Sequence, residues 1–378
     1  MATWSKTRKA NGDALQSKVK NTVNPWKGGK FLPITQRCWS LNCHALSKVW
    51  FRARCVDLRV CDTKAIMSSC KSWLYQDMFE KPAETVLHRP PHCGGLGLHS
   101  PKYKALAGFI STFLQTAANP VFRQNLLHNQ LYRKYVLEEE DVTGAPNQPP
   151  PYFTQECFDL IKKVRRESTL NIVLMSEKEW SKVLTEDHIT MQLNPITNIK
   201  EFIPCKSELL SPTTDWKVSW SLSRQQGIHP DLASFLWKML HDLLGSQHRL
   251  HRLGATPTPT CRKCKQVEGT LRHELLECSK NNDVGQLLLS SLQTCMPNLT
   301  PSSLLRLEFS NQDEYKELSS IILTAVTLNT IWKERQASSD VRAYTVRSEL
   351  EQTIALLRTT RLVNVSVALE TQYNQMFQ

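Results

Sequence analysis

The sequence predicts a mostly α-helical chain in two parts. Three observations lead there. Apolar residues recur three and four positions apart along most of its length. A proline-rich stretch, Pro146-Asn147-Gln148-Pro149-Pro150-Pro151, interrupts that pattern. Cysteines and a histidine crowd into one short segment, residues 261–278.

The chain has 378 residues, enough for one large or two ordinary domains. Hydrophobic residues make up 40% and charged residues 22%, ordinary globular usage that excludes wholesale disorder. The formal charge is +12, which favours a polyanionic partner. Nucleic acid is the commonest such partner, and an anionic membrane surface is the rival. The excess is uneven: residues 1–50 carry Lys6, Arg8, Lys9, Lys18, Lys20, Lys27, Lys30, Arg37 and Lys48 against Asp13 alone.

In chain order, residues 1–30 are polar and basic, and read as a flexible lead-in. Helical spacing begins with Ile34, Cys38, Leu41, Leu46, Val49 and Trp50. A second stripe, Ile66, Cys70, Trp73, Leu74 and Met78, predicts a helix over about 62–80. A loop follows, with Pro90-Pro91 and Gly94-Gly95-Leu96-Gly97. Further helical patterns lie at about 101–118 and 121–137. The acidic run 138–141 then leads into a linker over 142–152, which separates a domain at 31–141 from a helical connector at 153–255.

Residues 153–183 read as helices, and 184–228 as irregular, with short runs suited to strands or loops. Pro230, Leu232, Phe235, Leu236, Met239, Leu240, Leu243 and Leu244 predict an amphipathic helix over about 229–245, stopped by Gly245. A small module occupies 256–282. A C-terminal helical segment fills 283–378, with helices near 283–295, 313–336, 339–359 and 362–376. Ile321, Ile322, Ala325, Leu328 and Trp332 stripe the longest.

The module carries the chemistry. Cys261, Cys264, His273 and Cys278 follow the spacing C-x2-C-x8-H-x4-C. Tetrahedral zinc takes four such ligands, and a C-x2-C turn lets two thiolates meet one ion. Glu268-Gly269 is the expected tip of the spacer. Five residues of ideal helix would turn His273 and Cys278 about 140° apart, so one of them must leave the regular helix. With all four places filled by protein, the expected site is structural: one Zn2+, with no catalytic water. Arg262, Lys263, Lys265 and Arg272 offset its net negative charge and make the outer face basic. Glu277 stands where a zinc peptidase would need a second histidine after His273-Glu274.

Other clusters carry less. His88, His92, Cys93 and His99 sit among Pro and Gly in a loop suited to another purpose. Cys38, Cys43 and His44 face different ways on a helical stretch. The sequence has no Asp-Asp pair, Walker loop, G-x-S-x-G or dinucleotide fingerprint. The expectation is therefore a chain that is not an enzyme. No apolar run follows Met1, and no segment reaches about 18 uninterrupted apolar residues. The expected place is nuclear or cytoplasmic, not secreted, with cysteines held as thiols or metal ligands.

Three segments together resemble the reverse transcriptase of non-LTR, LINE-like retrotransposons. They are Asn24-Pro25-Trp26-Lys27-Gly28-Gly29-Lys30 with Leu46 to Ala53; Pro90 to Leu98 around the Gly-Gly-Leu-Gly turn; and Phe235-Leu236-Trp237-Lys238 with Arg249 to Gly254 before the cysteines. The resemblance implies that 31–141 is a thumb-like part and 256–282 the zinc knuckle of such an enzyme. It also implies that the aromatic-x-Asp-Asp palm and both known kinds of endonuclease are absent from this stretch. A nucleic-acid-binding fragment is then expected, gripping element RNA or target DNA with Arg249, Arg252, Arg262, Lys263, Lys265 and Arg272. The alternative is a decayed or host-adopted scaffold that binds protein.

Overall fold

In the computed structural model the described residues are 2–28, 32–53, 58–76, 78, 81–118, 130, 133, 159–164, 175–176, 178–183, 209, 214–309, 313–335, 342–360 and 362–377. Among them the chain is mostly helical, as the periodicity predicts, and contains no strand beyond one isolated bridge. Among the described residues no helix is long and apolar enough to cross a membrane. The expected helix at 121–137, the acidic run and the linker at 142–152 lie outside the described residues, apart from 130 and 133. Two compact units are present. The first comprises Met1–Leu32, Gln36–Asp77 and Gly97–Asn194; the second comprises Pro33–Thr35, Met78–Leu96 and Pro195–Gln378.

The first unit opens with a departure from expectation. The lead-in expected to be flexible is helical over Ala2–Val23, α1. Leu15, Val19 and Val23 recur every four residues and are buried to 1% or less. One apolar stripe on a Lys- and Asn-rich helix is enough to dock it, and composition alone hides so narrow a stripe. Helix α2 spans Ile34–Ser40, a π-helical turn covers Leu41–Leu46, and α3 runs Ser47–Ala53. Helix α4, Val60–Leu74, packs along α1 and buries Ile66, Met67, Cys70, Trp73 and Leu74.

Arg59 and Asp62 fasten the start of α4. Arg59 Nη2 donates to Asp62 Oδ1 at 2.6 Å, and Gln16 of α1 donates to the same oxygen at 2.8 Å. Burial works to raise the Asp62 pKa, but hydrogen bonds and charge from Arg59 outweigh it and hold the carboxyl low. Helix α6, Pro101–Ala118, carries Leu106, Ile110, Phe113 and Leu114 into a core completed by Ile161, Val164, Met175 and Trp180.

The second unit contains α5, Glu84–His88, and then the Gly94 turn. Helix α7, Trp216–Leu222, lies in the stretch read as irregular. It is only seven residues long, too short for periodicity to reveal, and Asp215 caps it by accepting from the Lys217 and Val218 amides. Helix α8, Pro230–Leu240, starts with Pro230 as expected but ends before Gly245. Asp242 takes a left-handed φ of 52° instead. Leu243 N–H then reaches Lys238 O at 2.7 Å and Asp242 N–H reaches Met239 O at 2.9 Å, closing a Schellman turn.

Helix α9, Gln247–Arg252, leads to the cysteine module. Beyond it lie α10 (Asn282–Gln293), α11 (Pro301–Leu305), α12 (Glu314–Glu334), α13 (Ala343–Thr359) and α14 (Val363–Phe377). Four of these five match the expected C-terminal helices; α11 is one turn and a half, below what spacing resolves. Helix α12 is the hub, packed by α8, α10, α13 and α14. It is buried nearly all round, from Leu318 to Ile331, with Ser319, Ser320, Thr324 and Thr327 as small residues that admit close neighbours.

Within this unit the Gly94 turn is clamped. Trp237 Nε1 donates to Gly94 O at 2.8 Å, and His241 Nε2 meets the same oxygen at 2.7 Å. The His241 ring stacks on Trp220, centroids 4.4 Å apart, and tilts against Trp237 at 4.6 Å. Gly94 sits at φ +78°, and a Cβ there would meet the Trp220 ring at 2.6 Å. The Gly-Gly loop is therefore a docking element for α7 and α8.

Candidate metal centre

The cysteine module is a short hairpin closed by the bridge between Thr260 and Glu268. Cys261 N–H donates to Val267 O at 2.8 Å, and Gly269 N–H to Pro259 O at 2.8 Å. The tip is the Cys261–Val267 turn. Glu268 and Gly269 lie on the returning side, where the sequence reading had put the tip. Lys265 takes the left-handed position of the knuckle, φ 56°, and donates its N–H to Cys261 O at 3.0 Å. This curls the backbone so that the Lys263 and Cys264 amides point at Cys261 sulfur, and the Gln266 and Val267 amides at Cys264 sulfur.

The second pair of ligands comes from a widened turn. His273–Glu277 is π-helical, and Cys278 N–H closes on His273 O at 2.7 Å. An i→i+5 bond brings residues five apart round to one side. Cys278 itself has already left for an extended conformation, φ −64° and ψ 125°. The angular problem posed by an ideal helix is thus solved by both routes together.

The four ligand atoms all lie within 4.8 Å of one another. Cys261 and Cys278 sulfurs are 3.8 Å apart, and Cys264 Sγ is 3.3 Å from His273 Nε2. Zn–S bonds of about 2.3 Å and a Zn–N bond of about 2.1 Å at tetrahedral angles require edges of about 3.8 and 3.6 Å. A disulfide would need about 2.0 Å. The donor set, three thiols and an imidazole, is one zinc favours, so the residues fit the ion on both distance and chemistry. Among the described residues no other group of His, Cys, Asp and Glu converges in this way.

Burial tunes these groups. It pushes the Cys261 thiol up to about 12, with the neighbouring Cys278 adding to the shift. Burial also works to raise Cys264, but four hydrogen bonds, from the Gln266 and Val267 amides and from Cys261 and Cys278, bring it below its ordinary value. Burial lowers His273, which keeps the imidazole neutral and its lone pair available.

A buried polar network holds the module to its unit. Glu274 accepts from Gln247 N–H at 2.8 Å and from Arg335 Nη1 at 3.1 Å. Arg335 also donates to Gly245 O at 2.9 Å and lies over the Trp332 ring. Burial raises the Glu274 pKa, while the Gln247 amide and Arg335 oppose it. Asn281 donates to Glu274 O at 2.9 Å. Gly269 is required here, since a Cβ would stand 2.7 Å from both Glu274 Oε1 and Gln247 Cβ. Sequence reasoning did not find Glu274. A lone acid before Leu275-Leu276 hints at a buried polar role, but Arg335 is 61 residues away.

The six basic residues expected to face nucleic acid divide. Arg249 is buried, and its guanidinium is ion-paired with Asp242, so it braces the end of α8. Lys263 is half-buried and donates to Asn281 Oδ1 at 3.0 Å. Arg262 is exposed and donates to Gln247 Oε1 at 2.6 Å; Arg272 is exposed and pairs with Glu277 at 2.5 Å. Arg252 and Lys265 are exposed.

A family model described as zinc-binding in reverse transcriptase matches residues 205–284. All four ligands fall inside that span, which is thus similar to a reverse-transcriptase-associated zinc-binding domain. Comparison with curated proteins gives no match.

Proposed function

We propose that this chain is a zinc-dependent nucleic-acid-binding part of a non-LTR retrotransposon reverse transcriptase, one that grips nucleic acid and does not copy it. The observation that carries the reading is the convergence of Cys261, Cys264, His273 and Cys278 inside a span similar to a zinc-binding domain associated with reverse transcriptase. One Zn2+ per chain pins the hairpin to the π-turn and leaves no open coordination place. Its role is structural, and the chain's own residues make the contacts.

Arg252 and Lys265 are the first contacts, with Arg262 and Arg272 beside them and Lys263 at the edge. Arg249 supports them through Asp242. The partner is element RNA or target DNA, met in the nucleus or cytoplasm. Phosphate contacts of this kind give binding that steepens as salt falls.

The test is a titration of the zinc-loaded chain into a labelled RNA hairpin and a DNA duplex across a salt series, beside the Cys261→Ser/Cys264→Ser variant checked for folding. Salt-dependent binding that weakens in the variant supports the reading. Equal, feeble binding by both refutes it. That outcome would favour a zinc-pinned helical scaffold for a protein partner, a role that the inward engagement of Arg249 and Lys263 already suits.

A further inference from the structure

The first unit carries an aromatic and basic surface that the zinc module does not explain. Trp39 is 63% exposed, on a helix whose other side is core. Its ring meets His44 edge-on, centroids 6.0 Å apart at 85°. His44 in turn meets Trp26 edge-on at 6.4 Å, and Trp26 is anchored from below by Trp73, whose Nε1 donates to Trp26 O at 2.9 Å. An edge-to-face contact covers at most one face of a ring, so Trp39, at its exposure, keeps at least one face open. An exposed tryptophan braced by other rings is an ordered platform, and ordering it further costs little on binding.

Cations border the platform. Lys48, one turn beyond His44, donates to Thr22 Oγ1 at 2.7 Å, and Thr22 donates to Lys18 O at 2.8 Å. Those contacts seat Lys48 on the Lys18–Thr22 turn of α1, where Lys18 is exposed, and exposed Lys27 follows Trp26 in the chain. The carboxylates of the same helices are engaged elsewhere. Asp62 is fully buried, and Asp13 pairs with Arg59 at 3.3 Å.

We infer that this surface binds single-stranded nucleic acid, with an unpaired base stacked on Trp39 and the backbone phosphates along Lys18, Lys27 and Lys48. The choice of occupant rests on charge. Exposed Lys6, Lys9, Lys18, Lys20, Lys27 and Lys48, against an Asp13 that is ion-paired, complement a polyanion, and among polyanions only a strand with unstacked bases uses an open indole face. A duplex hides its base faces and uses the cations alone. The site is built from residues of the first unit alone and does not depend on the function proposed for the zinc module.

The test uses the full zinc-loaded chain and fluorescein-labelled twelve-nucleotide strands: oligo(dT), oligo(U) and an abasic strand with the same phosphates. The variants are Trp39→Ala, Trp39→Phe and Cys261→Ser/Cys264→Ser. Trp39 is exposed, so its replacement leaves the core intact. The expected result is that Trp39→Ala weakens binding of base-bearing strands roughly tenfold or more, the contribution of one base stacked on an aromatic ring. Trp39→Phe restores most of it, and abasic binding is the same for Trp39→Ala and wild type. The arm with the larger loss names DNA or RNA as the strand preferred. Unchanged binding by Trp39→Ala overturns the inference, as does equal affinity of the wild type for abasic and base-bearing strands. Loss in the cysteine variant alone would uphold the zinc module as the grip and sink this site; loss in Trp39→Ala alone would do the reverse.

Discussion

His241 makes the second unit sensitive to acid, and the size of the effect follows from its surroundings. The ring is fully buried between Trp220 and Trp237, and Nε2–H donates to Gly94 O. Nδ1 has no hydrogen-bond partner. A second proton would have to sit there, in an apolar slot, with Arg89 and Arg224 adding repulsion. Burial, the largest cause, holds the pKa down to about 3 from 6.5, against the favourable Gly94 carbonyl.

The folded state thus refuses a proton that the unfolded chain accepts below about pH 6.5. The stabilisation is fully present above that pH and is lost as pH falls toward the folded value, at up to about 1.4 kcal/mol per pH unit. Between pH 8 and pH 5 the loss from this one residue integrates to about 2 kcal/mol. Urea unfolding of the wild type and of His241→Gln, followed by tryptophan fluorescence at pH 8, 7, 6 and 5, isolates it. Glutamine can donate to Gly94 O but does not titrate, and zinc release in acid is common to both proteins. The wild type should lose about 2 kcal/mol more than the variant over that range. Parallel losses would refute the argument.

Three further outcomes are expected. Cobalt(II) added to the zinc-free chain should give one equivalent of a tetrahedral, thiolate-rich spectrum, and Cys278→Ser should weaken its sulfur-to-metal charge-transfer band; a spectrum of six-coordinate cobalt would refute the ligand set. Gly94→Ala should destabilise by about 2 kcal/mol or more in urea unfolding, because it combines a left-handed φ with a clash against Trp220; an unchanged midpoint would show that the turn gives way. Glu274→Gln and Arg335→Met should each cost on the order of 3 kcal/mol by stranding the other charge, while the double variant should cost less than their sum. Additive losses would mean that the two do not act as a pair.

The sequence by itself determined the helical class, most helices long enough to repeat a stripe, and the Cys261, Cys264, His273 and Cys278 set that the structure gathers. These are local properties. A stripe needs only 3.6-residue spacing, as in α4, α8 and α12, and a C-x2-C knuckle needs only a few residues of backbone. Tertiary structure decided what depends on partners distant in the chain. It made most of the basic lead-in a helix, α1 over Ala2–Val23, because three apolar side chains suffice once α4 is there to receive them. It ended α8 at Asp242, whose left-handed turn is braced by Arg249. It set His273 and Cys278 on a π-turn, and it drew Arg249 and Lys263 into protein contacts while leaving Arg252 and Lys265 exposed. It also left Trp39 exposed on a helix whose other side is core. A side chain's burial is a property of the whole packed chain, and spacing along one segment does not contain it.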